Sequence, residues 1–234
     1  MTGTGTVAWW TATAGELPRD LDWLADDERA RLAGLAVAKR RADFLLGRWI
    51  AKRAVAAQWP GAPPLSAIAI RAAADGAPEA FLAGAPLPLV LSISHSAGRA
   101  LAAVRAAGSA LGADLERVEP RSPLLVDDFF RDDEAAWVAA CPAAERDRAI
   151  TLVWSAKESV LKARRSGLRE DPRRVRVELG AWVPGDGAWR RFAVRVDDAA
   201  LDGWWRDDAD YVVTVAGDAL AAPPVACGEH VLDR

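Results

Sequence analysis

The hydrophobic period of this chain changes in the same order twice, and that order restricts the fold more than any single residue does. Residues 7–13 read as an opening strand, and Asp26-Asp27-Glu28 then places acids where a helix N-terminus favours them. From residue 38 to about 59, Leu46, Ile50 and Ala54 recur at helical spacing, with Pro60 as the stop and residues 61–64 as a loop. Alternating segments follow at 68–71, 87–94, 101–104 and 111–116, with Asp75-Gly76 as a turn. After Pro120 and Pro123 the period lengthens again, and residues 126 to about 165 read as mainly helical with a break at Cys141-Pro142. Strands return at 175–179, 192–196 and 211–215, with a turn at Gly185-Asp186-Gly187. Strand, helix, strands, then the same again, is an α+β chain of two halves, 1–108 and 109–234, meeting near Gly108. The halves share this pattern without convincing sequence identity.

Composition narrows the function classes. With 234 residues, 51% hydrophobic and 27% charged, the chain can bury a substantial core. A net charge of −3 argues against a general nucleic-acid binder, and no uncharged apolar run approaches the roughly 20 residues of a membrane span. The segment from Met1 to Val7 lacks the basic and apolar stretches of an export signal, which makes the cytoplasm the expected location. Cys141 and Cys227 have no Cys or His neighbours at metal-ligand spacing and read as two reduced, buried thiols. Only four lysines occur, Lys39, Lys52, Lys157 and Lys162; every other basic side chain is arginine.

Two motifs carry chemistry. As a strand, Leu111-Gly112-Ala113-Asp114-Leu115-Glu116 turns both carboxylates to one face; such a pair is either a solvated edge or a set of hard oxygen ligands for Mg²⁺. In Trp154-Ser-Ala-Lys157-Glu158-Ser-Val-Leu-Lys162, Trp154, Glu158 and Lys162 are successive i,i+4 neighbours on a helix. Glu158 and Lys162 are either a surface salt bridge or a base beside a phosphate-neutralising ammonium. Glu134 is a further candidate acid, and Ser94-His95-Ser96 at a strand end is a donor cluster suited to a phosphate. The helical arginines, Arg41 and Arg48 among them, are either a solvated face or phosphate contacts. A basic run at Arg164, Arg165, Arg169, Arg173, Arg174 and Arg176 suggests a docking surface for an acidic partner.

In this order and at this spacing, the motifs resemble those of the 4′-phosphopantetheinyl transferase superfamily, in its larger, surfactin-synthetase-activating (Sfp) type. The resemblance rests on Phe44-Leu-Leu-Gly47-Arg48, Leu91-Ser-Ile-Ser94-His95-Ser96, Gly112-Ala-Asp114-Leu-Glu116, Phe129-Phe130 up to Glu134, and the 154–162 helix. It implies two pseudo-symmetric α+β halves with a cofactor cleft between them, the coenzyme A nucleotide on the side of 1–108 and Mg²⁺ and the catalytic helix in 109–234. It further implies that Asp114, Glu116 and Glu134 hold Mg²⁺ and that Glu158 takes the proton of a carrier-protein serine. Lys162 and Lys157 would neutralise pyrophosphate charge, and Arg41, Arg48, Ser94 and His95 would contact coenzyme A. The expected activity is transfer of 4′-phosphopantetheine from coenzyme A to an apo acyl or peptidyl carrier protein by a monomer; the alternative is a non-catalytic coenzyme A binding or regulatory paralogue. Ala77 in Asp75-Gly76-Ala77-Pro78 departs from the family turn, where a basic residue is frequent.

Overall fold

The computed structural model describes residues 6–59, 61–183 and 185–227; the helix stop expected at Pro60 and most of the segment from Met1 to Val7, read as lacking an export signal, lie outside them. The chain is α+β and divides into two compact units, one running to Ser109 and regaining the segment from Pro224, the other spanning Ala110–Pro223.

The first unit contains β1 (Ala8–Thr13), α1 (Asp26–Ala33), α2 (Ala38–Ala57), β2 (Ile68–Ala72), β3 (Pro78–Leu82), β4 (Ala85–Pro86), β5 (Leu89–Ser96) and β6 (Arg99–Ala106). Ala97 and Gly98 both have positive φ, the turn that joins β5 to β6 with matching twist. β6 pairs on its other side with β1, while β2, β3 and β4 form a small antiparallel sheet. The helical period read at Leu46, Ile50 and Ala54 packs against Ala100, Ala102 and Val104 of β6. Alanines on that strand face bring the helix close, and each buried leucine or isoleucine contributes about 1.5–3 kcal/mol.

The second unit contains β7 (Leu111–Arg117), α3 (Pro123–Phe129), α4 (Asp132–Ala140), α5 (Arg146–Ala163), β8 (Val175–Glu178), β9 (Arg190–Val196), β10 (Ala199–Asp208) and β11 (Tyr211–Gly217). Its antiparallel sheet runs β7, β11, β10, β9, β8. β12 (Val225–Ala226) returns to the first unit and pairs parallel with β1. The helical stretch expected from residue 126 resolves into three helices because Phe130 and Cys141 are extended, the latter ahead of Pro142. β3, β4, β10 and β12 escape the sequence reading. β10 does so because Asp202, Gly203 and three consecutive charged residues have low strand propensity. Its glycine lies under a ring: a Cβ on Gly203 would come within 2.2 Å of the Phe192 side chain on β9, its register partner. Both thiols are free, Cys141 buried and Cys227 only half-buried.

Candidate active site

Gly112 decides how the two motifs meet. A Cβ there would lie 1.8 Å from the Ser159 carbonyl oxygen and 2.4 Å from the Ala163 nitrogen, so the α5 backbone rests directly on the strand. Ser155, Ala156, Ser159 and Ala163 keep this helix face small and buried, and Ser155 Oγ and Thr214 Oγ1 of β11 share a 2.9 Å hydrogen bond. Because side chains alternate along β7, Gly112, Asp114 and Glu116 share the face on which α5 lies. Asp114 is buried, and Lys162 Nζ donates to its Oδ1 at 2.7 Å and to the Ala113 carbonyl at 3.3 Å. Glu116 accepts from Arg121 at 2.8 Å, a partner the sequence reading did not single out.

Glu158 is the third carboxyl of this cluster. Burial, and then the like charge of Asp114, hold it above the usual carboxylate range; Lys162 pulls the other way and Glu116 adds to the push. Among the described residues no group of three or more His, Cys, Asp or Glu stands so that it could hold a metal ion. Asp114 and Glu116 nonetheless fit Mg²⁺, since they are hard oxygen donors crowded with a third carboxyl whose charge is disfavoured, and Mg²⁺ needs only one or two carboxylates beside waters and phosphate. Trp154, one turn before Glu158, packs at 5.4 Å from the Phe129 ring and anchors the other end of the ridge.

Two expected site residues stand elsewhere. Glu134 is the third residue of α4, where Oε2 accepts from the Arg131 amide at 2.8 Å and from Lys157 at 2.7 Å, while Oε1 accepts from the Val177 amide at 2.8 Å. Both oxygens are committed to tying α4, α5 and β8 together, so the structure does not support Glu134 as a metal ligand beside Asp114 and Glu116. Lys157, fully buried, donates also to the Pro172 and Val175 carbonyls at 3.0 and 2.5 Å, which uses all three of its protons. Burial pushes its ammonium below the usual lysine range, against the pull of Glu134. Lys157 thus ties α5 to α4 and to the segment at residues 172–175.

The first unit holds a cavity of about 410 Å³ whose lining includes Arg31, Arg40, Phe44, Arg48, Arg71 and His95. Arg48 stacks over the Phe44 ring at 4.5 Å, and burial chiefly holds its guanidinium below the usual range despite nearby Glu28. Arg71 pairs with Asp27 at 2.7 Å, and Gly76 and Pro78 of the turn after it complete one wall. Of the four residues expected to contact coenzyme A, Arg48 and His95 line this cavity. Arg41 instead donates to the Leu32 and Leu35 carbonyls, at 2.6 and 3.3 Å, closing the C-terminal end of α1. Ser94 is buried on the opposite face of β5 from Ile93 and His95, where strand alternation puts it. Arg31 of α1, Arg40 of α2 and Arg71 of β2, which the sequence reading did not select, also line it.

The basic run after α5 is largely compensated within the chain. Arg164 pairs with Glu170 at 2.9 Å, Arg174 with Asp197 at 2.7 Å and Arg176 with Asp133 at 2.8 Å, while Arg169 donates to the Arg165 carbonyl. No helix among the described residues is long and apolar enough to cross a membrane.

No curated protein matches the chain. Residues 110–216, which lie inside the second unit and carry β7, the acidic pair and α5, match the family model of the 4′-phosphopantetheinyl transferase superfamily.

Proposed function

We propose that the chain is a Mg²⁺-dependent 4′-phosphopantetheinyl transferase of the Sfp type, moving phosphopantetheine from coenzyme A to a serine of an apo acyl or peptidyl carrier protein. The observation that carries this reading is the seating of α5 on Gly112, which sets Glu158 and Lys162 against Asp114 inside the region matched by the family model. An α+β unit with an arginine-lined cavity ahead of that region suits the larger type and a polyanionic nucleotide.

Asp114 and Glu116 would hold Mg²⁺, which supplies positive charge for the pyrophosphate of coenzyme A. Glu158, buried beside Asp114 and Lys162, is the group suited to accept the serine proton. The serine oxygen forms its bond to the β-phosphorus as the bond to the bridging oxygen breaks, and adenosine 3′,5′-bisphosphate leaves with that electron pair. Lys162, already poised on Asp114, stabilises charge on the departing phosphate. In the first unit Arg31, Arg40, Arg48 and Arg71 would receive the nucleotide phosphates.

The test is intact-mass spectrometry of an apo carrier protein incubated with this protein, coenzyme A and Mg²⁺. A gain of one phosphopantetheine, abolished by EDTA, is expected. Unmodified carrier across acyl and peptidyl types, with coenzyme A still bound, would establish the non-catalytic alternative.

A further inference from the structure

The two units contain the same buried ion-pair device with different charge balance. In each, a short helix opens with Asp-Asp-Glu, at Asp26–Glu28 in α1 and Asp132–Glu134 in α4. In each, the glutamate caps its own helix, accepts a strand amide and meets a lysine of the long helix. Glu28 accepts from the Ala25 amide at 3.0 Å, from the Ile70 amide at 2.9 Å and from Lys52, which donates on to the Trp23 carbonyl at 2.9 Å. Lys52 is fully buried and Glu28 nearly so, as are Lys157 and Glu134.

The residue one turn before each lysine differs. Before Lys157 it is Val153, apolar and buried, so one cation meets one carboxylate. Before Lys52 it is Arg48, whose Nε stands 3.7 Å from Glu28 Oε1, beyond hydrogen-bond reach. Arg48 Nε is buried and has no hydrogen-bond partner among the described residues. Glu28 already accepts from two amides and is neutralised by Lys52, while Arg48, the second cation beside it, stands on the cavity wall.

We infer that Lys52 is a positioning residue for anion binding: by neutralising Glu28 it keeps Arg48 from collapsing onto that carboxylate and leaves the guanidinium available to a phosphate in the cavity. The ligand side of this inference rests on the coenzyme A reading. In Lys52→Met the buried Glu28 charge has Arg48 as its remaining nearby cation, and the guanidinium turns inward. In Glu28→Gln/Lys52→Met neither buried charge remains, and Arg48 is released again.

The experiment measures Arg48 directly and its ligand separately. With ¹⁵N-labelled protein, the Arg48 Nε–Hε resonance shifts and becomes protected from exchange in Lys52→Met, and returns towards the wild-type position in the double variant. By calorimetry, the Kd for coenzyme A rises about tenfold in folded Lys52→Met, the loss of one charge-assisted contact, and recovers in the double variant. An unchanged Arg48 resonance in Lys52→Met overturns the inference, as does an unchanged Kd accompanied only by a lower Tm. Should Lys52→Met fail to fold, the double variant decides: wild-type affinity supports the inference and weak affinity in folded protein refutes it. Absence of coenzyme A binding by the wild-type protein would sink the transferase reading, while the Arg48 resonance would still judge the role of Lys52.

Discussion

Gly112→Ala tests whether backbone contact seats the catalytic helix. Ordinary van der Waals contact begins near 3.4 Å, whereas the added Cβ would stand 1.8 Å from Ser159 O and 2.4 Å from Ala163 N. Neither atom can rotate aside, so α5 must retreat by roughly 1.6 Å along the first contact or the strand must bend. Overpacking of a core costs about 1–3 kcal/mol, and a clash with two main-chain atoms lies at the upper end; about 3 kcal/mol corresponds to a Tm lower by about 10 °C for a chain of this size. The same retreat separates Lys162 from Asp114, now 2.7 Å apart, and misplacement on the ångström scale costs about 100-fold in turnover. Calorimetry and the carrier-modification rate, both at saturating coenzyme A, give the two numbers. Gly180→Ala is the control, because its Cβ meets nothing within 4 Å and its stability should stay within about 0.5 kcal/mol. Wild-type Tm and rate in Gly112→Ala would show that the helix is not seated by this contact.

Glu134→Gln leaves the Lys157 ammonium buried without its carboxylate and should cost about 3–5 kcal/mol in urea denaturation, with Glu134→Gln/Lys157→Met less damaging than the single change. If the single variant kept full stability and lost only Mg²⁺ dependence, Glu134 would be a ligand after all. In the metal-free protein Glu158 has a pKa raised above its unfolded value, so the folded state holds the extra proton and stability falls as pH rises from the unfolded carboxylate range through the folded pKa. Glu158→Gln should flatten that fall and stabilise the metal-free protein at neutral pH, as read from Tm against pH in EDTA; an identical profile in the variant would remove Glu158 from the buried cluster.

The strands and helices that bury one face were legible because their hydrophobic period is undiluted: β1, α2, β7, α5 and β11 all lie where the pattern puts them. The proximity of Asp114, Glu116, Glu158 and Lys162 also follows from their spacing on strand and helix. What the sequence concealed was burial of charge. Glu134 follows two aspartates and Lys157 precedes a glutamate, and only three-dimensional packing turns their side chains into the core. Arg41 and Arg48 lie on one helix, and the difference between closing α1 and lining a cavity depends on where α1 and the β2–β3 turn approach it. The basic run after α5 misleads in the same way, since its compensating acids Asp133 and Asp197 come from distant segments.

A signal for the buried pairs was nevertheless present in the lysines. In a chain that otherwise uses arginine, Lys52, Lys157 and Lys162 each meet a carboxylate, and two of them are fully enclosed. A lysine ammonium presents three donors at one point, which suits a narrow pocket formed by a carboxylate and backbone carbonyls; a guanidinium fork needs a planar opening. Pairing each enclosed lysine with the Asp-Asp-Glu helix that precedes it exposes a repeat that residue identity does not reveal. Within that repeat, the exchange of Val153 for Arg48 one turn before the lysine places a second cation beside the buried carboxylate. The same scaffold element therefore serves the second unit as a neutral brace for α5, and serves the first as a brace that also leaves one arginine facing an anion cavity.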